Sequence, residues 1–187
     1  MKLRGWLTLL LFAPALHAAS LEIRYGALER LIAQQMFSTE GRRYVRGSQG
    51  TKCNFAFLET PQLLPGGASR IELRVRFTGR SAVDMFGRCL GLGDSFDLII
   101  TGLPVAREGA IGFDQLVVST PRDSYYIRRV RSSLVETMNK DFRIDVRDQA
   151  RALLEAPQRE LQDLRIISVR ATPEALILEV DFRLIVK

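Results

Sequence analysis

Residues 70–78 read RIELRVRFT and alternate without interruption: Ile71, Leu73, Val75 and Phe77 fall to one side, Arg70, Glu72, Arg74 and Arg76 to the other. Side chains of an extended strand point to opposite faces with a period of two, so this stretch is a strand with one dry and one wet face. Such strands belong to antiparallel sheets covered on one side. The pattern returns over residues 175–186, where Leu176, Leu178, Val180, Phe182, Leu184 and Val186 alternate with Glu179, Asp181 and Arg183. A strand over 164–170 precedes it and the turn TPEA joins the two, which predicts a long hairpin. A chain built this way must lay something apolar against its dry faces.

Helices are the available cover. Residues 25–36 place Ala27, Leu28, Leu31, Ile32 and Met36 at helical spacing, with Glu29, Arg30, Gln34 and Gln35 on the other side. In YYIRRVRSSLVETMNKDF, Tyr126 or Ile127, Val130, Leu134 and Met138 form a stripe that Val135 widens, while Arg128, Arg129, Arg131, Ser132 and Glu136 stay polar; Asp123 or Ser124 can cap the start. A third helix is expected over 145–155, with Val146, Ala150, Leu153 and Leu154 inward. Between the first two helices the chain reads as strands. CNFAFL is ended by Pro61, another strand spans 96–101 and ends at Gly102 and Pro104, residues 38–50 read mainly as turn with at most one weak strand, and the GLGDS segment at 91–95 reads as a turn. In EGAIGFDQLVVSTP, Gly109 supplies a turn at positive φ, Ile111 to Val118 form a strand, and Pro121 stops it so that the helical section can begin.

The chain opens MKLRGWLTLLLFAPALHAAS: Lys2 and Arg4, an apolar run from Trp6 to Leu16, then small residues. This is the pattern of a secretory signal peptide over residues 1–19, and the run falls short of the roughly 20 residues a transmembrane helix needs. Cleavage after Ala18 or Ala19 would put Leu16 or His17 where a small residue is preferred, which leaves a retained N-terminal anchor as the alternative; no Cys stands near the junction to accept a lipid. The expectation is a soluble, exported protein, with residues 20–187 forming a single domain. Removing Lys2 and Arg4 from 27 basic residues leaves 25 against 21 acidic ones, a charge of +4. The arginines are spread along the chain, which suits solvated faces or transient contact with an anionic membrane surface and argues against nucleic acid. Cys53 and Cys89, in an oxidising compartment, are expected to form one disulfide.

The signal segment also carries His17, the chain's only histidine, so the mature chain has no Ser-His-Asp triad and no His-based zinc site or acid/base pair. Neither GxSxG, GxxxxGK[ST] nor GxGxxG occurs, and GLGDS lacks the lysine of a phosphate loop. Asp84, Asp94, Asp97, Glu108 and Asp114 are the carboxylates a glycosidase would draw on, but they sit among turns and strand faces as solvated surface. No cofactor or metal is implied. Long strands dry on one face, with helices dry along one stripe, satisfy two pictures equally: a filled core, or an elongated cleft for an apolar molecule.

The order of these elements resembles a known family. The early helix ALERLIAQQMF, the run of strands, EGAIGFDQLVVSTP, the helix YYIRRVRSSLVETMNKDF and the closing hairpin RIISVRATPEALILEVDFRLIV together resemble the small, single-domain bacterial periplasmic type of the TULIP, or tubular lipid-binding, superfamily. The resemblance implies an α+β fold in which a strongly curved antiparallel β-sheet wraps around a long amphipathic helix, with lipid or another apolar molecule in the groove between them. It also implies that Leu28, Leu31, Ile32, Val130, Leu134 and Met138 face Ile71, Leu73, Val75 and Phe77 across that groove. The family brings no fixed catalytic residues. Unlike relatives tethered through an N-terminal Cys, this chain would move freely through the periplasm; the disulfide is not a family hallmark. The expected function is non-enzymatic lipid or apolar-ligand binding and carriage across the periplasm, with an assembly factor or chaperone acting through protein contacts as the alternative.

Overall fold

A computed structural model describes residues 19–107, 109–121, 123 and 125–186. Residues 1–18, with Lys2, Arg4 and His17 of the expected signal peptide, lie outside the described residues, as do Glu108, Ser124 and the side chains of Tyr126 and Arg129. The described chain runs β1 (Ala19–Arg24), α1 (Tyr25–Met36), β2 (Arg42–Arg46), β3 (Asn54–Pro65), β4 (Ile71–Met85), β5 (Arg88–Arg107), β6 (Ala110–Ser119), α2 (Tyr125–Asp141), β7 (Ile144–Asp145), α3 (Arg147–Leu154), β8 (Arg159–Ala171) and β9 (Ala175–Val186). Every pairing is antiparallel, in a six-stranded sheet ordered β2-β3-β4-β5-β6-β7 and a three-stranded sheet ordered β1-β9-β8. Helix α2 packs against both β6 and β2, which stand four places apart in the larger sheet, so that sheet curls into a half-barrel.

The alternation of β4 is realised as read. Ile71, Leu73, Val75 and Phe77 are buried, and the intervening arginines are at the surface or half-buried. Phe77 meets Phe96 across the ladder at 5.0 Å between ring centroids. Leu28, Leu31 and Ile32 from α1, Leu134 and Met138 from α2, and Leu176, Leu178 and Val180 from β9 join them in one contiguous core. Three contacts fix α1 to this core. The Tyr25 hydroxyl donates to the Thr172 carbonyl at 2.6 Å, Glu29 accepts from the Leu63 N–H at 2.8 Å, and the Gln35 amide bonds both backbone groups of Asp145 at 2.7 and 2.9 Å. Cys53 and Cys89 form the expected disulfide.

Several expectations are corrected, most of them where a strand outruns its sequence signal. Pro61 does not end β3: the register shifts between Glu59 and Gln62, Thr60 takes φ 52°, and the bulge accommodates the missing N–H so that the strand reaches Pro65. Likewise β5 begins at Arg88 and runs past Gly102 and Pro104 to Arg107, and Pro104 lies beyond the end of the β4 ladder, which stops at Ile71 opposite Gly102. GLGDS is therefore strand, not turn. A Cβ at Gly91 would stand 2.3 Å from the Ser81 carbonyl oxygen, so a side chain there would force the two strands apart. The segment 38–50, read mainly as turn with at most one weak strand, holds that strand as β2. Leu153 of α3, expected inward, is 69% exposed, while Val146 and Ala150 are buried.

Candidate functional site

The site to examine is the seam between the helices and the dry face of the sheet. Helix α2 starts four residues past Thr120–Pro121, where the proline leaves β6 no ladder to continue, and Asp123 pairs with Arg128 at 3.3 Å and with Arg131 at 3.8 Å in its first turns. The stripe then turns Ile127, Leu134 and Met138 inward; all three are buried, and Val130 is half-buried against the core. The seam is tightly closed: beside Met138 the remaining void is about 10 Å³, lined by Leu63, Ile71, Leu73, Ile100, Phe113 and Phe142 among others. Among the ten residues proposed from the sequence to face a groove, Ile71, Leu73 and Met138 meet at this void, while Leu28, Leu31, Ile32, Val75, Phe77, Val130 and Leu134 belong to the surrounding core without lining it.

Sequence reasoning passed over Phe113 and Phe142, whose rings pack edge to face at 5.2 Å and close the end of the seam. Phe142 stands four residues beyond Met138 and so continues the stripe past the last helical residue; extending the period by one step would have found it. A second apolar slot of about 70 Å³ lies under α3, between Leu154, Leu164, Leu21, Val180 and Phe182, with Leu153 at its rim. Preformed small-molecule pockets are typically about 300 Å³ or more, so neither seam is open to a ligand as it stands.

The wet face carries a different feature. An open depression of about 690 Å³ is lined by Thr60, Gln62, Arg74, Arg76, Asp97 and Thr120, beside the β3 bulge. Its charge is largely compensated within the sheet: Arg76 pairs with Asp97 at 3.4 Å and Arg74 with Glu72 at 2.7 Å. Nearby, Arg70 donates to the Gln115 side chain at 2.6 Å. Of the carboxylates considered for catalysis, Asp114 is held by Arg107, Asp84 accepts the Gly87 N–H at 2.9 Å and Asp94 accepts the Ser95 N–H at 2.8 Å. None of these contacts brings two carboxylates together across a cleft. Among the described residues no group of His, Cys, Asp or Glu stands together as a metal site, and no helix is long and apolar enough to cross a membrane. The titration of Tyr25 is displaced: burial raises its phenol above the ordinary tyrosine range.

No family model matches the chain. No curated protein matches it in sequence. Among solved structures, one titled "Crystal structure of lipopolysaccharide binding protein" aligns over 87% of this chain and 46% of its own at 10% identity and a TM-score of 0.27. The chain thus spans less than half the length of that protein, and a superposition this loose assigns neither fold nor ligand.

Proposed function

We propose that this protein is an exported, non-enzymatic carrier that takes a lipid or another apolar molecule between its helices and its curled sheet, α2 lifting from the sheet to admit it, and moves that cargo across the periplasm. One observation supports the reading: among the described residues no polar or charged residue is buried, so α2 is held on the sheet within the core by apolar contact alone. Lifting α2 from such a surface breaks one part-buried side-chain bond, from Arg131 to Thr120 at 2.8 Å, and otherwise apolar contact. An acyl chain can restore the lost contacts, because exclusion from water and dispersion are not directional. The polar tethers of α2, such as Arg43 to Asp141 at 3.2 Å, lie at the surface, where water replaces them at small cost. The ten groove-facing side chains would line the opened cleft, with Phe113 and Phe142 at its end.

Native mass spectrometry and organic extraction of protein purified without detergent test this, together with hydrogen exchange. The expected result is a stoichiometric lipid-class molecule, and α2 amides that exchange faster than the β4–β5 ladder in the empty protein and slow when an acyl probe is bound. A chain isolated empty, with no saturable uptake of a fluorescent fatty acid and with α2 as protected as that ladder, would sink the reading. The closed seam itself favours a second reading, an assembly factor or chaperone whose apolar faces are simply core; recovery of a protein in place of a lipid in the same preparation supports it.

A further inference from the structure

The β4–β5 hairpin leaves the rest of the molecule. The β3 ladder along β4 ends at Asn54 opposite Ser81, and β6 joins β5 only from Ile99 onward. The strands between Ala82 and Gly91 are therefore hydrogen-bonded, among the described residues, to each other and to no third strand. Their dry face does not stop where the core stops. Phe77 opposite Phe96 is the last buried pair; on the same face follow Gly79 opposite Asp94, Ser81 opposite Leu92, Val83 opposite Leu90, and Met85 opposite Arg88, so the face turns apolar again beyond Asp94. Val83, Met85, Leu90 and Leu92 are all exposed.

At the tip, Phe86 and Gly87 form a two-residue turn with φ of 54° and 77°. A turn with both central residues at positive φ is the one that selects Asn-Gly, and a bulky aromatic at its first position is disfavoured by its own backbone. Phe86 is also 101% exposed, so its ring gains no contact in return. Neither local conformation nor packing accounts for a phenylalanine here; a surface met by the tip would.

Charge indicates what kind of surface. Arg88 stands next to the tip and Arg80 further back on the same hairpin, while the Cys53–Cys89 bond holds Lys52 against it and Arg46 lies two strands across from Gly79. All four cations are exposed and in no ion pair among the described residues. The carboxylates of the hairpin, Asp84 and Asp94, are fewer, and each is occupied by a backbone N–H. An apolar crown with a basic collar behind it fits an anionic lipid interface, where apolar side chains sink about 5–10 Å and cations remain among the headgroups. At about 3.3 Å per residue that depth takes in Phe86, Met85, Val83 and Leu90; Arg88, opposite Met85, reaches back from within it along its own stem, and Arg80, six residues behind Phe86, stays among the headgroups.

We propose that the β4–β5 hairpin is a membrane-docking finger, inserted by its Phe86 tip into anionic bilayers and cross-linked to the start of β3 by Cys53–Cys89, one residue pair behind the Met85–Arg88 pair that closes the turn. The proposal stands apart from the seam: docking needs no movement of α2. Flotation of the full chain with vesicles of phosphatidylcholine alone, or of phosphatidylcholine and phosphatidylglycerol in roughly equal parts, tests it. The expected result is binding to the anionic vesicles that weakens with salt and falls about tenfold or more in Phe86→Asn/Leu90→Thr, a variant whose turn chemistry favours the hairpin and whose thermal unfolding is not lowered. Charge removal at Arg80, Arg88 and Lys52 by Gln should lower binding to anionic vesicles while leaving weak binding to the neutral ones. In a Trp6→Phe background, Phe86→Trp is the chain's single tryptophan, and its emission should shift to the blue on binding. Absence of flotation, or equal flotation by the tip variant, overturns the proposal. So does a concentration-dependent dimer lost in the same variant, which would assign the finger to a second copy of the chain.

Discussion

At the scale of single residues, the polar groups that matter are those joining distant parts of the chain. Tyr25 begins α1 and donates to the carbonyl of Thr172, at the turn between β8 and β9. Tyr25→Phe should cost about 1 kcal/mol of unfolding free energy, measurable by denaturant titration. Because burial raises the folded-state phenol above its unfolded value, the folded chain holds this proton more tightly. The stability it contributes is complete below the unfolded pKa, about 10, and is lost as pH rises through the higher folded one; wild type should lose stability in that alkaline window and Tyr25→Phe should not. The exposed pair Glu136 and Lys140, 2.9 Å apart, works in the opposite direction: the hydrogen bond from Lys140 lowers the Glu136 pKa, so its small contribution is present above the usual glutamate range and fades in acid. At Phe86 the backbone opposes the side chain. Replacing it with Asn should raise stability by about 1 kcal/mol in a melt, the same change that removes the docking tip.

Among elements, legibility in the sequence follows the period. The strand β9 occupies Ala175–Val186 and α1 occupies Tyr25–Met36, the bounds the alternation and the helical stripe predict, because in each the pattern runs unbroken from end to end. The pattern breaks where a strand has no buried face to record. The overhanging parts of β4 and β5 carry Gly91, Gly93, Asp84 and Asp94, residues that read as turn, yet a fifteen-residue and a twenty-residue strand run through them because each completes the other's hydrogen bonds. Short β2 is legible only through its partner β3. The disulfide acts on this same element. Replacing Cys53 and Cys89 with Ala should lower stability by about 2–4 kcal/mol, checked by chemical denaturation, and should open the finger to limited proteolysis near Phe86 before the β8–β9 hairpin is touched.

For the whole molecule, an apolar stripe is ambiguous in a way that no refinement of pattern removes. Met138 must face apolar atoms whether its neighbour is Ile71 or a lipid tail, so the stripe in the sequence does not distinguish a closed seam from an open one. Leu134→Ala should cost about 2–5 kcal/mol by calorimetry or denaturant, as a core cavity does, and it should at the same time increase saturable uptake of small apolar probes if α2 lies over a pre-existing path for ligand. The six-stranded sheet is assembled from neighbours in the chain, each strand from β2 to β6 pairing with the next, and can form as it is delivered. The three-stranded sheet cannot: β1 pairs with β9, bringing Ala19 opposite Val180. A chain emerging N-terminus first, from a ribosome or through a membrane pore, must leave Ile23 without its strand partner until β9 has followed. The β1–β9 pairing therefore doubles as a check that the chain has been delivered as far as β9, and a chain stalled before β9 is left with an open strand for chaperones and proteases to find.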